Sequence, residues 1–372
     1  MKCLKIIKLL EELAPLKYAE DWDNPGLLAG RAEKDIHKIM VALDPSETVI
    51  SQAVEQNVDM LITHHPMIFK PIKKISTQNF IGRKLVKLIQ NDISYYAMHT
   101  NFDCAMMALE AGRRLGLKNI RVLESVYEEK LYKIAVFVPE SQADKVRQAM
   151  TKEGAGFIGN YSDCTFNTEG FGTFLPREGT DPFIGKKGEL SKVHEVKIET
   201  IVEESKKESI INAMLKVHPY EEPAYDIYPL ASSMQGVGLG CFGYLNQYVS
   251  AENLAERVKQ AFHIPYVTYT GDPEDKIACV ALCPGSGKSV IDSAISCHAD
   301  VFITGDIDHH TAYDAKEQGL FLMDAGHFGT EHFMAEFVKN YLKEKIAQMD
   351  FNMQCMDINI ITAEEQPIFK IL

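Results

Sequence analysis

Three short motifs hold the side chains that are best suited to bind metal ions in this chain. They read ITHHP at 62–66, HTNFD at 99–103 and DAGHFGTE at 324–331. Adjacent histidines and two His-x-x-x-acid pairs supply more ligands than one tetrahedral zinc ion needs. The set fits two divalent ions that share a bridging carboxylate and a water, an arrangement that supports hydrolysis.

Each motif follows an apolar run that is typical of a buried strand, at 60–62, 94–98 and 320–323. Ligands at the ends of neighbouring strands can converge on a single point. We therefore expect the three motifs to meet where these strands end.

Two segments share the order strand, loop, helix, strand. The first runs from VALDPS at 41–46 to VDMLIT at 58–63, and the second from VALCPGS at 280–286 to ADVFIT at 299–304. This order is typical of a β-α-β unit with a parallel crossover. A further strand with a His-x-x-x-acid motif follows each segment, so the outer parts of the chain are predicted to be two halves of one domain.

The segment between these halves has a different pattern. Its strands and helices are predicted in the order β-α-β-β-α-β, with period-two alternation over 193–202. The predicted fold is therefore α/β. Two pseudo-symmetric α/β halves, 1–126 and 232–372, form one layered metal-binding domain, and 127–231 form an inserted ferredoxin-like α+β domain.

Charge and hydropathy exclude some classes of partner. The chain of 372 residues has 39 Lys and Arg against 52 Asp and Glu, a net charge of −13. This acidity argues against binding of long nucleic acids, although a single nucleotide needs only a metal or a local cluster. Without a signal-peptide pattern or an apolar stretch of about 18 residues, the chain is expected to be soluble and cytoplasmic, with no membrane partner.

Two glycine motifs imitate nucleotide-binding loops. GLGCFG at 238–243 satisfies GxGxxG but lacks the strand, helix and acidic residue that accompany a dinucleotide site. GSGKS at 285–289 would need a glycine at 282, where the chain has Leu282. Neither motif predicts a cofactor.

Four motifs in the same order resemble the GTP cyclohydrolase 1 type 2 homologue family, also called the Nif-three-like family. They are WDNPGL at 22–27, ITHHP at 62–66, TGD at 304–306 and DAGHFGTE at 324–331. The resemblance implies a toroidal homohexamer and a dinuclear site. The inserted segment, with HPYEEP at 218–223, resembles the CutA/PII-like trimeric signalling folds, and members with such an insert resemble the longer bacterial branch. The ligands carried over are His64, His65, Asp103, His327 and Glu331.

We hypothesise that His64, Asp103 and Glu331 hold one ion, and that His65, His327 and Glu331 hold the other. His99 or His310 would move protons as catalytic residues. Imidazole and carboxylate ligands without thiolate suit Zn, Fe, Mn, Co or Ni. The family name implies a metal-dependent hydrolase that acts on a small nucleotide-like substrate, with attack at C8 of the guanine of GTP.

Other interpretations stay open at this point. The histidine pair can be ordinary loop residues, His309 and His310 can be polar loop residues, and Glu331 can be an acid that faces a helix dipole. The alternative function is a metal-binding regulatory or scaffold protein with a PII-like sensor insert and no turnover. An open coordination position would distinguish the catalytic site from the structural one.

Overall fold

The computed structural model describes residues 1–233, 236–350 and 358–370, so parts of the predicted segment 232–372 lie outside the described residues. The chain separates into two units. The first comprises Met1–Tyr127 and Val237–Leu372, and the second comprises Glu128–Gly236.

Strands and helices largely alternate along the first unit, as expected for an α/β protein. The bounds that follow are those of both units. In chain order the strands are β1 (Gly26–Ala29), β2 (Lys38–Ala42), β3 (Met60–Thr63), β4 (Ser94–Ala97), β5 (Lys118–Tyr127), β6 (Lys130–Pro139), β7 (Thr165–Phe174), β8 (Ser191–Glu203), β9 (Tyr225–Ser233), β10 (Val237–Ser250), β11 (Thr268–Tyr269), β12 (Lys276–Ser286), β13 (Val301–Gly305), β14 (Phe321–Asp324) and β15 (Asn359–Thr362). The helices are α1 (Cys3–Leu13), α2 (Glu47–Glu55), α3 (Phe80–Gln90), α4 (Thr100–Phe102), α5 (Ala108–Arg114), α6 (Ala143–Lys152), α7 (Lys207–Val217), α8 (Ala251–Phe262), α9 (Ile291–Ser296), α10 (His309–Glu317), α11 (His327–Glu331) and α12 (Phe333–Asp350). The strands predicted before the three motifs are confirmed as β3, β4 and β14.

The two sheets of the first unit share an internal order. One has the order β1-β4-β3-β2-β15, and the other has the order β11-β14-β13-β12-β10-β5. In each, three parallel strands follow an antiparallel edge strand, and in the first sheet β15 adds a fourth parallel strand beside β2. Parallel strands of one sheet end at the same edge. The residues after β3 and β4 therefore lie at the strand ends of the first sheet, and those after β14 lie at the strand ends of the second. Ligand sites commonly form at such strand ends.

Alternation along the strands explains how both faces of a sheet are covered. In β2, Ile39 and Val41 belong to a core that also contains Val301 and Ile303 of β13. The intervening residue Met40 faces a second core with residues of α2 and α3. Successive side chains of a strand point to opposite faces, and each fully buried aliphatic side chain contributes about 1.5–3 kcal/mol.

The second unit has the element order β6, α6, β7, β8, α7, β9. Its strands form an antiparallel sheet in the order β7-β8-β6-β9. Apolar residues of both helices, such as Val146 and Met214, pack on Ile134 and Val136 of β6. The observed fold is thus mixed α/β with several sheets.

The GxGxxG sequence lies within strand β10 and not in a turn between a strand and a helix. No helix within the described ranges is long and apolar enough to cross a membrane.

Candidate metal centre

The tight exit from β3 brings two consecutive histidines into one site. The backbone N–H groups of His64 and His65 both donate to the Leu43 carbonyl, at 3.1 and 3.0 Å. The Thr63 hydroxyl also donates to the His65 carbonyl at 2.8 Å. The chain therefore bends immediately after the strand, and both imidazoles can serve the same centre.

The exit from β4 positions His99 and Asp103. His99 precedes the short helix α4, and Asp103 begins a π-helical turn, Asp103–Met107. Such widened turns are rare and occur frequently at functional sites. Here the turn directs a carboxylate toward the histidine pair.

The exit from β14 supplies the third pair. Gly326 has φ +76, a left-handed conformation that costs glycine little, and α11 begins at the next residue. Within α11, His327 and Glu331 are one helical turn apart, and His327 Nε2 lies 3.1 Å from Glu331 Oε2.

The Glu331 carboxylate lies at the middle of the cluster and is only 3% exposed. Its Oε1 is 3.8 Å from His64 Nε2, which is itself 3.4 Å from Asp103 Oδ1. Its Oε2 is 3.3 Å from His65 Nε2 and 3.1 Å from His327 Nε2. The two carboxylate oxygens therefore face two different sets of ligand atoms.

Each imidazole of the cluster is anchored at Nδ1, which leaves Nε2 for the centre. The four anchoring contacts are His64 to the Met98 carbonyl at 2.8 Å, His65 to Asp44 at 2.8 Å, His99 to Asp23 at 2.8 Å and His327 to Asp306 at 2.7 Å. The acceptors fix the proton on Nδ1. Histidines that bind metals are oriented by the same kind of contact.

Several inward-facing atoms lack a partner. Within the described residues, His64 Nε2, Asp103 Oδ1 and Glu331 Oε2 are buried and accept or donate no hydrogen bond. The Nε2 atoms of His65 and His327 face one another at 3.2 Å. Buried polar atoms without partners are costly, and a divalent cation would satisfy all of these lone pairs. The residues present therefore fit a metal ion.

The pKa values of the cluster describe how it holds protons when no cation is bound. Burial lowers the pKa of His65, but the hydrogen bond to Asp44 and the nearby Glu331 carboxylate outweigh this and raise it to about 10. For His327 the adjacent Glu331 carboxylate, 3.1 Å away, dominates and raises the pKa to about 9. Burial raises the pKa of Asp103. For Glu331, burial is outweighed by the neighbouring histidines, which hold its pKa well below the usual value.

Three groups of side chains within the described residues can each hold an ion. They are His64, His65 and His99; His65, His327 and Glu331; and His64, Asp103 and Glu331. The predicted ligands are thus brought together, and His99 lies beside them. His310 is exposed on α10 and belongs to none of these groups.

The sequence alone does not predict that Asp44 and Asp23 anchor histidines of the cluster. Asp44 follows β2 at the same sheet edge as His64, a position that was available as a signal. Asp23 belongs to the WDNPGL motif at 22–27, from which no ligand or anchoring role is predicted. It accepts from His99 and from the Thr100 backbone N–H and hydroxyl. Burial raises its pKa, but these hydrogen bonds prevail and lower it to about 2.

The cluster opens onto a cavity of about 890 Å³ that His65 and His327 line together with Tyr266 and Phe328. The Trp22 ring lies 6.0 Å from the His99 ring and 5.5 Å from the Phe69 ring. Trp22 is 57% exposed, so its ring is available to a ligand.

Comparison with known proteins identifies the family. The family model described as Duf34/NIF3 (NGG1p interacting factor 3) matches residues 1–364. Proteins named GTP cyclohydrolase 1 type 2 homolog are 42% identical in Halalkalibacterium halodurans, covering 96% of both chains, and 40% identical in Bacillus subtilis, covering 97% of this chain and 95% of the other. The crystal structure of a Bacillus cereus protein related to NIF3 superposes with a TM-score of 0.89 at 38% identity, covering 100% of this chain and 99% of that one. The chain belongs to the Duf34/NIF3 family.

Proposed function

We propose that this protein binds two divalent metal ions per chain and is a metal-dependent hydrolase for a small, nucleotide-like substrate. Glu331 carries the proposal, because its two oxygens face different ligand sets. His64 and Asp103 would hold one ion with Glu331, and His65 and His327 would hold the other. The donor set of imidazole and carboxylate suits Zn, Fe, Mn, Co or Ni.

When bound, such ions polarise substrate oxygens and lower the pKa of water. The chain's own contribution is orientation and proton transfer. Asp23 holds His99 at Nδ1, so His99 Nε2 is the candidate to accept a proton at the substrate. We prefer His99 to His310 for this role because His99 adjoins His64 and His65, whereas His310 is exposed on α10.

Two features support a nucleotide-like substrate. The cavity of about 890 Å³ lies within the range of small-molecule and cofactor sites. The exposed Trp22 ring beside His99 offers a face on which a purine could stack. Relatives carry a name that refers to GTP cyclohydrolase, and we extend that substrate class to this chain as part of the proposal.

The proposed architecture assigns the metal site to two pseudo-symmetric halves, 1–126 and 232–372, and treats 127–231 as a ferredoxin-like, CutA/PII-like insert. The shared sheet order supports the first assignment, and the β-α-β-β-α-β order supports the second. We further propose a cytoplasmic homohexamer, which sedimentation analysis of the full chain would test.

Elemental mass spectrometry of gently purified protein tests the metal site. We expect close to two metal ions per chain in the wild type and a loss of metal in both His65→Ala and Glu331→Ala. His310→Ala is the matched control and should keep both ions. A metal content of one or none that neither substitution changes would reject the proposal.

Turnover needs a separate measurement. The loaded protein should release formate or phosphate from GTP, and the identity of the product separates ring opening from phosphoester hydrolysis. Full metal loading with no product from GTP would reject the proposed substrate. If other nucleotides also gave none, the regulatory or scaffold alternative would replace the enzyme.

A further inference from the structure

The second unit contains a cavity of its own, of about 400 Å³. Aromatic side chains form much of its wall, including Phe137, Phe174, Phe183 and Tyr220. The Tyr220 ring lies 5.7 Å from Phe174 and 6.5 Å from Phe183. The volume falls within the range of small-molecule sites, which are apolar with a few placed polar groups.

A buried carboxylate faces this cavity. Glu195 of β8 is only 7% exposed, and its Oε1 accepts a hydrogen bond from the Tyr220 hydroxyl at 2.8 Å. Its Oε2 has no hydrogen-bond partner within the described part of the chain and is not among the fully buried unpartnered atoms, so it is accessible from the cavity. A carboxylate on a largely buried residue favours a cation or a donor that replaces its lost hydration.

The neighbouring strand leaves space for the carboxylate. A Cβ atom at Gly172 of β7 would come within 2.0 Å of Glu195 Oε2, whereas a Cβ at Gly170 would meet nothing within 4 Å. The absence of a side chain at 172 therefore lets Glu195 occupy its present position in the wall.

Two lining residues, Phe137 and Tyr220, are held by His218, which is 8% exposed. Its Nε2–H donates to the Phe137 carbonyl at 3.0 Å, and its Nδ1 accepts from the Tyr220 N–H at 3.1 Å. Both ring nitrogens are thus occupied by the backbone, and burial lowers the pKa of His218. His218 holds Tyr220 over the cavity and is not available as a ligand.

The charge of the lining selects the class of ligand. Among the described residues, the lining contains Glu195, Glu221 and Glu222 and neither lysine nor arginine. An anion would therefore be repelled. The described residues also contain no group of potential metal ligands here, although they contain three at the other site. An organic cation would instead satisfy the carboxylate and lie against aromatic faces.

We infer that this cavity binds a small organic cation, an ammonium group on an apolar or aromatic body, with Glu195 as its counter-ion and Tyr220 and Phe174 as its aromatic wall. The ammonium would donate to Glu195 Oε2, and the body would replace water along the rings. This binding is independent of the metal centre in the first unit.

Calorimetric titration of the full-chain protein with 2-phenylethylammonium tests the inference, with 2-phenylethanol and phenylacetate as neutral and anionic analogues. Because a charge-assisted hydrogen bond to a buried carboxylate is among the stronger polar contacts, the ammonium should bind at least about tenfold more tightly than the alcohol. Phenylacetate should not bind. Equal affinity for ammonium and alcohol, or no binding of the ammonium, would overturn the inference.

Two pairs of variants locate the ligand. Glu195→Gln should weaken ammonium binding by at least about tenfold, whereas Glu169→Gln, at an exposed position of β7, should change it by less than about twofold. Gly172→Ala should likewise weaken binding, and Gly170→Ala should not. If Glu195→Gln fails to fold, the glycine pair and the wild-type comparison of analogues still decide. Unchanged affinity in both folded test variants would refute the site.

Discussion

The histidines of the candidate metal centre depend on residues that would not themselves touch a metal. Each of the four imidazoles gives its Nδ1–H to a fixed acceptor, and for three of them that acceptor is a carboxylate. The contact determines the tautomer and aims Nε2 inward. It follows that metal affinity should respond to substitutions one shell beyond the ligands.

Asp44, which accepts from His65 Nδ1, gives the most specific test of this effect on metal affinity. Asp44→Asn keeps an acceptor for His65 Nδ1 but removes the negative charge. We expect metal affinity to fall by about 10- to 100-fold, as for other outer partners of metal-binding histidines. Competition with a chromophoric chelator measures this. Asp314→Asn, exposed on α10, is the matched control, and equal losses in the two variants would contradict the role of Asp44.

The raised histidine pKa values predict a pH dependence of the metal-free protein. The pKa of His65 is raised to about 10 and that of His327 to about 9, above the unfolded value of about 6.5. A group of this kind stabilises the fold fully below its unfolded pKa, and the stabilisation is lost as the pH rises toward the folded pKa. In chelator, Tm should therefore fall by a few degrees between pH 6.5 and 9.

His65→Gln provides the comparison for that measurement, because it removes one of the two titrating groups and should flatten the slope. Other titrating groups also change Tm with pH, and these groups are the same in the wild type and the variant. A Tm that is constant or rises with pH in the metal-free wild type would contradict the assignment of protons to this cluster.

At the scale of elements, the sequence predicts the repeated part of the fold well. The apolar runs before the ligand motifs are strands, and the β-α-β order at β2, α2, β3 recurs at β12, α9, β13. These features depend on local patterns, which is why they are readable. The parallel pairing of β15 with β2, by contrast, joins Asn359 to Lys38 and has no local signal.

At the site, too, features that depend on local sequence patterns can be predicted, whereas features that depend on distant contacts cannot. The residues that meet at the candidate metal centre could be named from spacing and from the family resemblance. The π-helical turn at Asp103 could not be named, because no residue pattern distinguishes it from an ordinary helix start. The contact of Gly285 with the Glu331 carboxylate also required the fold, since 46 positions separate the two residues in the chain.

Gly285 provides an element-scale prediction. It lies in β12 with φ +67, and a Cβ there would come within 2.1 Å of Glu331 Oε1. Gly285→Ala should therefore displace the carboxylate and lower the metal content. Gly319→Ala is matched in backbone, with φ +82, but its Cβ would meet nothing within 4 Å. Both variants should lose about 1–2 kcal/mol of stability from backbone strain.

Elemental analysis and thermal unfolding of the two glycine variants separate these effects. Only Gly285→Ala should lose metal, while both should unfold at lower temperature than the wild type. Metal loss from Gly319→Ala as well would mean that general destabilisation, and not the contact with Glu331, empties the site.

At the scale of the whole molecule, the described residues proposed as metal ligands all belong to the first unit, Met1–Tyr127 and Val237–Leu372. The points at which the chain leaves and re-enters this unit are neighbours, because Tyr127 of β5 pairs with Val237 of β10. The first unit thus has its own cores and its own sheets, and its backbone can be closed without the residues between those two positions.

Excision of 128–236 tests whether the first unit is autonomous. An Asn-Gly turn between Tyr127 and Val237 would connect β5 and β10 as an antiparallel hairpin, since that dipeptide favours the two-residue turn. We expect the shortened chain to unfold cooperatively and to hold as much metal as the full chain, because its cores and ligands are intact. The same excision with His64→Ala should lose metal. A shortened chain that folds but holds none would show that residues 128–236 are required for the metal site.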